Sequence, residues 1–93
     1  MSVEVRDNAD GCRYEILVDG RLTGVADYRV SAGTVVFPHT EIDATMRGRG
    51  LGATLVGWAL DDVRRAGRTV VPICWYVSRF IEDHPEYRDL LAV

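Results

Sequence analysis

The stretch Met46-Arg47-Gly48-Arg49-Gly50-Leu51-Gly52-Ala53 decides how this chain is organised. It lies between a strand-like run at residues 34–43 and a strongly helical run at residues 51–66. Glycines at alternate positions let the backbone turn tightly and let a ligand approach it closely. The helix that begins here directs its first unpaired N–H groups and the positive end of its dipole into the turn, where two arginines add charge. The stretch therefore predicts an anion site, and a phosphate is the obvious anion for it.

The spacing of the glycines excludes two common phosphate loops. A Walker loop needs Lys followed by Ser or Thr after its last glycine, and no such pair follows Gly52. The dinucleotide fingerprint G-x-G-x-x-G also fails, because Ala53 and Leu55 occupy the positions where a third glycine is required. What remains is the pattern Arg47-x-x-Gly50-x-Gly52 at the start of an amphipathic helix.

The residues before this loop alternate and turn as an antiparallel meander does. We expect four strands, at residues 3–6, 12–18, 21–30 and 34–43. Asp19-Gly20 predicts a two-residue hairpin turn between the second strand and the third. Gly24, inside the third strand, indicates a bulge or a bend.

The residues after the loop predict a crossover. Apolar side chains recur at helical spacing from Leu51 to Ala66, and Gly67 is typical of a helix end. Residues 69–75 are apolar and β-branched, as in a buried strand, and strand–helix–strand order makes this strand parallel to the fourth. A short helix at residues 77–83 and a last helical turn at residues 86–91 complete an α/β (α+β) chain, a single domain over residues 1–93.

Composition restricts the possible function classes. With a net charge of −3 and a pI of about 5.2, the chain is unlike a nucleic-acid binder. We see no apolar signal segment and no run of membrane-spanning length, so we expect a soluble cytoplasmic protein, a monomer or weak homodimer. Cys12 and Cys74 are far apart, and we expect neither a disulfide nor a metal site.

This order of elements resembles the core of the GNAT acetyltransferases, without the helices that usually separate their first two strands. Two further stretches carry the resemblance, His39-Thr40-Glu41-Ile42 before the loop and Val71-Pro72-Ile73-Cys74-Trp75-Tyr76-Val77 after the helix. Together with the glycine loop they resemble the small single-domain GNAT-like proteins of the YjdJ type. The resemblance covers nearly the whole chain.

The resemblance implies a minimal GNAT fold in which the fifth strand splays away from the fourth. Acetyl-CoA, or coenzyme A, would lie in that gap as the co-substrate. The backbone of Ile42, Asp43 and Ala44 would bond the pantetheine amides. The pyrophosphate would be bound by the backbone of the glycine loop, namely by Arg47, Gly48, Arg49, Gly50, Leu51, Gly52 and Ala53.

Two residues of the fourth strand are candidates for the base that deprotonates an amine. Strict alternation puts His39, Glu41 and Asp43 on one face of the strand, together with Val35 and Phe37. Glu41 could take a proton directly or through water, or it could be an ordinary solvent-facing residue. His39 could share that task, or it could be a structural, hydrogen-bonded histidine.

Cys74 is the third catalytic candidate. The resemblance places it at the end of the fifth strand, where the thioester would lie, so its thiolate could accept the acetyl group before passing it on. It could equally be a small buried apolar residue. Larger GNAT enzymes have a tyrosine acid on the following helix, near the position of Phe80 here, and Tyr76 or Tyr87 could replace it.

The resemblance implies an acyltransferase, an acetyl-CoA-dependent N-acetyltransferase that acts on a primary amine of a small molecule or a protein. A module that binds or senses acyl-CoA without turnover is the alternative. A purely structural subunit of a larger complex is a third reading.

Overall fold

A computed structural model describes residues 1–92. The strands are β1 Val3–Asn8, β2 Arg13–Val18, β3 Arg21–Ser31, β4 Thr34–Ile42 and β5 Thr69–Val71, and they form one sheet in chain order. Neighbours from β1 to β4 are antiparallel, and β5 is parallel to β4. The α-helices are α1 Leu51–Arg65 and α2 Trp75–Asp83, with 3-10 turns at Ala44–Met46 and Pro85–Leu90. This arrangement confirms the predicted minimal GNAT fold.

Two tight features of the meander follow the sequence prediction. Asp19 and Gly20 both have positive φ, 51° and 80°, in the two-residue turn between β2 and β3. The register shifts between Ile16 and Leu17, which places an extra residue of β3 beside Gly24. A side chain at Gly24 would collide with Ile42 and lie 2.9 Å from the carbonyl oxygen of Glu41. The glycine therefore allows β3 and β4 to stay close at this bulge.

The core lies between the sheet and the two helices. We call the sheet face that carries Tyr14, Ile16, Val35 and Phe37 the helix face, because their side chains are buried in one cluster with those of α1 and α2. The opposite face, which carries Glu15 and Val25, is the open face. Within residues 1–92, neither helix is long and apolar enough to cross a lipid bilayer.

A β-bulge in β4 overturns the predicted placement of the base candidates. Asp27 pairs with His39 whereas Arg29 pairs with Val36, so two residues of β4 lie opposite Tyr28 alone. A bulge of this kind reverses the alternation of side chains beyond it. Thr40 therefore shares the helix face with its partner Ala26, and His39 and Glu41 point to the open face. The expectation that His39, Glu41 and Asp43 share a face with Val35 and Phe37 is wrong.

β4 and β5 are paired over three residues only and then separate. The pairs run from Thr34–Thr69 to Val36–Val71. Beyond them the N–H of Cys74 donates to the carbonyl oxygen of Phe37 at 2.8 Å, and the chain then enters α2. β5 is thus shorter than the predicted residues 69–75, because Pro72 cannot donate to the ladder, and α2 begins two residues earlier than expected. The predicted splay is confirmed, and it leaves one edge of β4 facing a gap from Pro38 onward.

A buried carboxylate stabilises the open face. Glu15 is 2% exposed and accepts hydrogen bonds from Arg6 Nε at 2.8 Å, Arg13 Nε at 2.7 Å and Asn8 Nδ2 at 3.1 Å. The bond from Asn8, helped by the two arginines and opposed by desolvation, lowers the pKa of Glu15 to about 2. Glu15 is therefore ionised in the folded state at neutral pH.

Replacing Glu15 with Gln tests this network. Because the folded-state pKa lies near 2, below the ordinary 4.5, the carboxylate stabilises the fold fully above pH 4.5 and loses that effect as pH falls toward 2. We expect Glu15→Gln to lower the free energy of unfolding by about 1.5–3 kcal/mol at neutral pH, with a smaller difference in acid. Urea denaturation between neutral and acid pH measures this, and a pH-independent difference would contradict it.

Candidate active site

The glycine loop has the backbone geometry of an anion site. Gly48 and Gly50 have φ values of 81° and 75°, a left-handed conformation that glycine adopts without strain. A Cβ atom at either residue would meet no other atom within 4 Å, so the space before the loop is open. The N–H of Thr54 is bonded to the carbonyl oxygen of Gly50 at 3.1 Å. By helix geometry, the N–H groups of Leu51, Gly52 and Ala53 then have no acceptor inside α1.

The glycine at position 52 has a different role from the two before it. A Cβ atom on Gly52 would overlap the hydroxyl of Tyr76 and lie 2.9 Å from its Cζ atom. The phenol ring of α2 therefore packs directly on the amino end of α1. Burial raises the pKa of Tyr76, so its hydroxyl carries a proton at neutral pH. The loop pattern thus combines two glycines that shape the turn with one that admits Tyr76.

The backbone N–H and carbonyl groups of Asp43 each have a hydrogen-bond partner within the chain. Its N–H donates to the carbonyl oxygen of Thr23 at 2.8 Å, and its own carbonyl oxygen accepts from the N–H of Met46 at 2.9 Å. Its carboxylate accepts from the N–H and Oγ1 of Thr45, which lowers the pKa of Asp43. The Asp43 N–H therefore has its acceptor within the chain, and the residue fixes the turn that leads to the glycine loop; the expected contact of its backbone with a pantetheine amide stays a prediction.

Cys74 lies where the gap between β4 and β5 opens, and it is the N-cap residue of α2. Its side chain is half-buried, and the N–H groups of Tyr76 and Val77 face the sulfur atom. Burial works to raise the pKa of the thiol. Hydrogen bonds available to the thiolate from the Thr40 hydroxyl, and from the N–H groups of Val77, Tyr76 and Thr40, outweigh burial, so the pKa of Cys74 is lowered. A lowered pKa increases the fraction of thiolate, the nucleophilic form, at neutral pH.

Thr40 is a member of the site that the sequence prediction did not include. Among residues 1–92, its Oγ1 is the one buried side-chain oxygen or nitrogen without a hydrogen-bond partner. A buried polar group left unpaired costs about 1–3 kcal/mol. Pro38 is the sequence signal that could have predicted the orientation of Thr40. A proline inside a strand is typical of an edge or a bulge, and a bulge changes which of the following residues face the core.

The two base candidates lie on the opposite side of β4 from Thr40. His39 Nε2 and Glu41 Oε2 are 3.3 Å apart, and their side chains are 57% and 67% exposed. A surface depression of about 360 Å³ adjoins Glu41 on the open face, and its apolar wall includes Leu22 and Val25. The structure therefore brings His39 and Glu41 together but separates both from Cys74 by the thickness of the strand.

Two aromatic residues on the C-terminal side differ in their access to the gap. The hydroxyl of Tyr87 donates to Asp61 on α1 at 2.8 Å, whereas that of Tyr76 lies on the glycine loop. Trp75 is 74% exposed and borders a small cavity with Tyr76. Tyr76 therefore lies at the glycine loop, where the diphosphate is predicted, and Tyr87 is held against α1. Within residues 1–92, no group of three His, Cys, Asp or Glu side chains is placed to hold a metal ion.

Comparison with known sequences identifies relatives over much of the chain. The family described as GCN5-related N-acetyl-transferase matches residues 13–90. Protein NATD1 of Xenopus tropicalis is 32% identical over 56 residues, which are 60% of this chain and 51% of that protein. Protein NATD1 of Bos taurus is 36% identical over 47 residues, or 50% of this chain and 42% of that protein. The matched part thus spans about half the length of these relatives.

Comparison with solved structures shows the same fold at low sequence identity. A GCN5-like protein from Staphylococcus aureus superposes with a TM-score of 0.73 at 18% identity, over 96% of this chain and 87% of its own. The ribosomal-protein-S18-alanine N-acetyltransferase of Escherichia coli gives 0.62 at 16% identity, over 64% and 39%. N-acetylglutamate synthase of Neisseria gonorrhoeae, complexed with coenzyme A and N-acetyl-glutamate, gives 0.59 at 17% identity, over 72% and 18%.

The family match covers most of the chain, and the splayed strands with the glycine loop between sheet and helix agree with it. The chain therefore belongs to the GCN5-related N-acetyltransferase family.

Proposed function

We propose that this chain is an acetyl-CoA-dependent N-acetyltransferase that acts on a primary amine, and that it works in the cytoplasm. The observation that carries the proposal is the gap between β4 and β5. Cys74 lies where the two strands begin to separate, and the glycine loop follows the end of β4, where the gap is open. A long ligand with a thioester at one end and a diphosphate near the other fits this arrangement. Acetyl-CoA would supply the acetyl group already activated as a thioester.

The chain's own groups suit the parts of this ligand. The N–H groups of Leu51, Gly52 and Ala53 would hold the diphosphate, with Arg47 and Arg49 adding positive charge. A helix amino end favours an anion by about 0.3–2 kcal/mol, and backbone donors need no side-chain ordering. The backbone of Ile42, Asp43 and Ala44 would bond the pantetheine amides, Asp43 through the remaining lone pair of its carbonyl oxygen. With the diphosphate and the pantetheine arm held in this way, the acyl carbon would lie near Cys74.

The proposed transfer has two steps. In the first, the Cys74 thiolate forms a bond to the acetyl carbon as the bond to the donor's sulfur breaks, and that sulfur leaves as a thiolate that takes a proton from water. In the second, the acceptor amine attacks acetyl-Cys74 and the cysteine sulfur leaves as a thiolate. The proton of the resulting ammonium passes to Glu41 or His39, through water where needed. The acceptor would approach from the open face, where both bases lie.

The alternative is a module that binds acyl-CoA without turnover. Its support is that His39 and Glu41 are largely exposed and that Phe80 stands near the position of the family's tyrosine. Binding without acetyl transfer to any amine in the experiments below would favour it.

Substituting Gly50 tests the diphosphate site. Coenzyme A should raise the melting temperature of the parent chain, because a ligand that binds only the folded state stabilises it. Gly50→Ala places a Cβ in the open space of the loop and should reduce or abolish that increase, measured by thermal-shift titration. Gly20→Ala is the matched control, since Gly20 also has φ near 80° and an open Cβ position but lies in the distant β2–β3 turn. Equal loss of the coenzyme response in both variants would contradict the assignment.

Intact mass after incubation with acetyl-CoA tests the cysteine route. We expect an adduct of one acetyl group on the parent chain, retained in Cys12→Ala and absent in Cys74→Ala. Cys12 is the control because it is exposed in the turn before β2, away from the gap. Unchanged amine acetylation in Cys74→Ala would show that the amine attacks the donor directly.

Glu41→Gln tests the base. We expect the rate of amine acetylation to fall several-fold, with coenzyme A binding intact, because the amide cannot accept the proton. Release of free thiol in the presence of an active amine measures the rate. His39→Gln is the companion variant, and the one with the larger loss identifies the main base. Full activity in both variants would remove this pair from the mechanism.

A further inference from the structure

Two sets of hydrogen-bond donors without partners converge on one sulfur atom. The hydroxyl of Thr40 is buried and unpaired in residues 1–92. At the amino end of α2, the side chain of Cys74 makes no capping hydrogen bond, and the N–H groups of Tyr76 and Val77 lie near it. These donors come from two elements, β4 and α2, that meet at Cys74.

Buried donors without acceptors require an explanation, since the great majority of such groups in folded proteins are paired. A neutral thiol is a weak acceptor and leaves both donor sets unsatisfied. A thiolate is a strong acceptor, and ionisation of Cys74 would satisfy the hydroxyl and the helix amides together. The arrangement is therefore complementary to a negative charge on the sulfur, and the thiol form leaves it incomplete.

The bulge in β4 is what brings Thr40 to this place. Asp27 pairs with His39 and Ala26 pairs with Thr40, so the threonine lies on the helix face, beside the gap. The hydrogen bond from Cys74 N–H to the Phe37 carbonyl oxygen fixes the other wall. A regular strand would have turned Thr40 to the open face and left the sulfur with the helix amides alone.

We propose that Thr40 is a positioning residue for Cys74, and that its hydroxyl donates a hydrogen bond to the thiolate and holds it for attack on the acyl carbon. This inference rests on the proposed function and adds a residue to it. The thiol proton goes to water before the attack, the sulfur then forms the bond to carbon, and Thr40 keeps its own proton throughout. The threonine does not react.

The other titratable groups near Cys74 point elsewhere. On β4, His39 and Glu41 are on the open face and hydrogen-bond each other. On α2, the phenol of Tyr76 lies against Gly52 of α1. The lowered pKa of Cys74 agrees with donation from Thr40 and from backbone N–H groups.

The test is the pH dependence of Cys74 alkylation by iodoacetamide in the full chain, with Cys12→Ala present so that one thiol reacts. Thr40→Val keeps the shape of the side chain and removes the hydroxyl. We expect the alkylation midpoint to move up by about half to one pH unit and the rate at neutral pH to fall about three- to tenfold. Thr40→Ser restores the hydroxyl and should restore most of the parent profile.

Two further measurements separate this role from a structural one. Thr40→Val should melt at or above the temperature of the parent chain, because an unpaired buried hydroxyl has been removed. Thr34→Val is the control on the same strand, since the Thr34 hydroxyl already bonds that of Thr69 at 3.0 Å and should not affect alkylation. A Thr40→Val profile identical to that of the parent would overturn the assignment.

The outcome is independent of the proposed acetyl transfer, because alkylation needs no coenzyme. If Thr40→Val lowers the melting temperature so far that the profile cannot be interpreted, Thr40→Ser compared with Thr40→Ala gives the same contrast. Loss of reactivity in Thr40→Ala but not in Thr40→Ser supports the proposal, and equal profiles overturn it. A shifted profile without coenzyme A binding would support Thr40 and contradict the proposed function alone.

Discussion

The bulge opposite Tyr28 is the constraint on which the site depends. It reverses the faces of β4, and it coincides with the place where β4 and β5 part. Pro38 lies within it and cannot donate to a neighbouring strand, so continued pairing past this point would lose a hydrogen bond in any case. The bulge therefore coincides with the start of the gap, places Thr40 on the helix face and sends His39 and Glu41 to the open face.

Separation of the two faces gives the proposed reaction a direction. In the proposal, Cys74 and its donors act from the helix face, where the Cys74 side chain is half-buried. The proposed bases, His39 and Glu41, lie on the open face, where their side chains are largely exposed. Because no helix covers that face in residues 1–92, the size of an acceptor is not limited by the chain on that side. The proposal thus assigns the acyl group to one side of the sheet and the amine to the other.

Much of the fold could be predicted from local sequence rules. The Asp19-Gly20 turn, the helix end at Gly67 and the crossover between parallel strands each follow from a short pattern with a known geometry. The site could be predicted only in part. The rule of alternation assigned His39 and Glu41 to the wrong face. The bulge depends on how β4 pairs with β3, and the pattern of residues within β4 alone does not reveal it. Thr40 was missed for the same reason, and the hydrogen bond of the Asp43 N–H depends on Thr23 of β3, which is distant in sequence.

Trp75 has a consequence for optical measurement. Its indole is largely exposed, follows Cys74 in the chain and meets the ring of Tyr76 edge-on, with centroids 5.9 Å apart. Trp58 lies elsewhere, with the guanidinium of Arg65 5.6 Å above its ring and Tyr14 at its edge. Emission from the two indoles should therefore differ in colour, the exposed one being the redder. The chain thus carries an exposed intrinsic fluorophore next to Cys74, and its emission can be followed without a label.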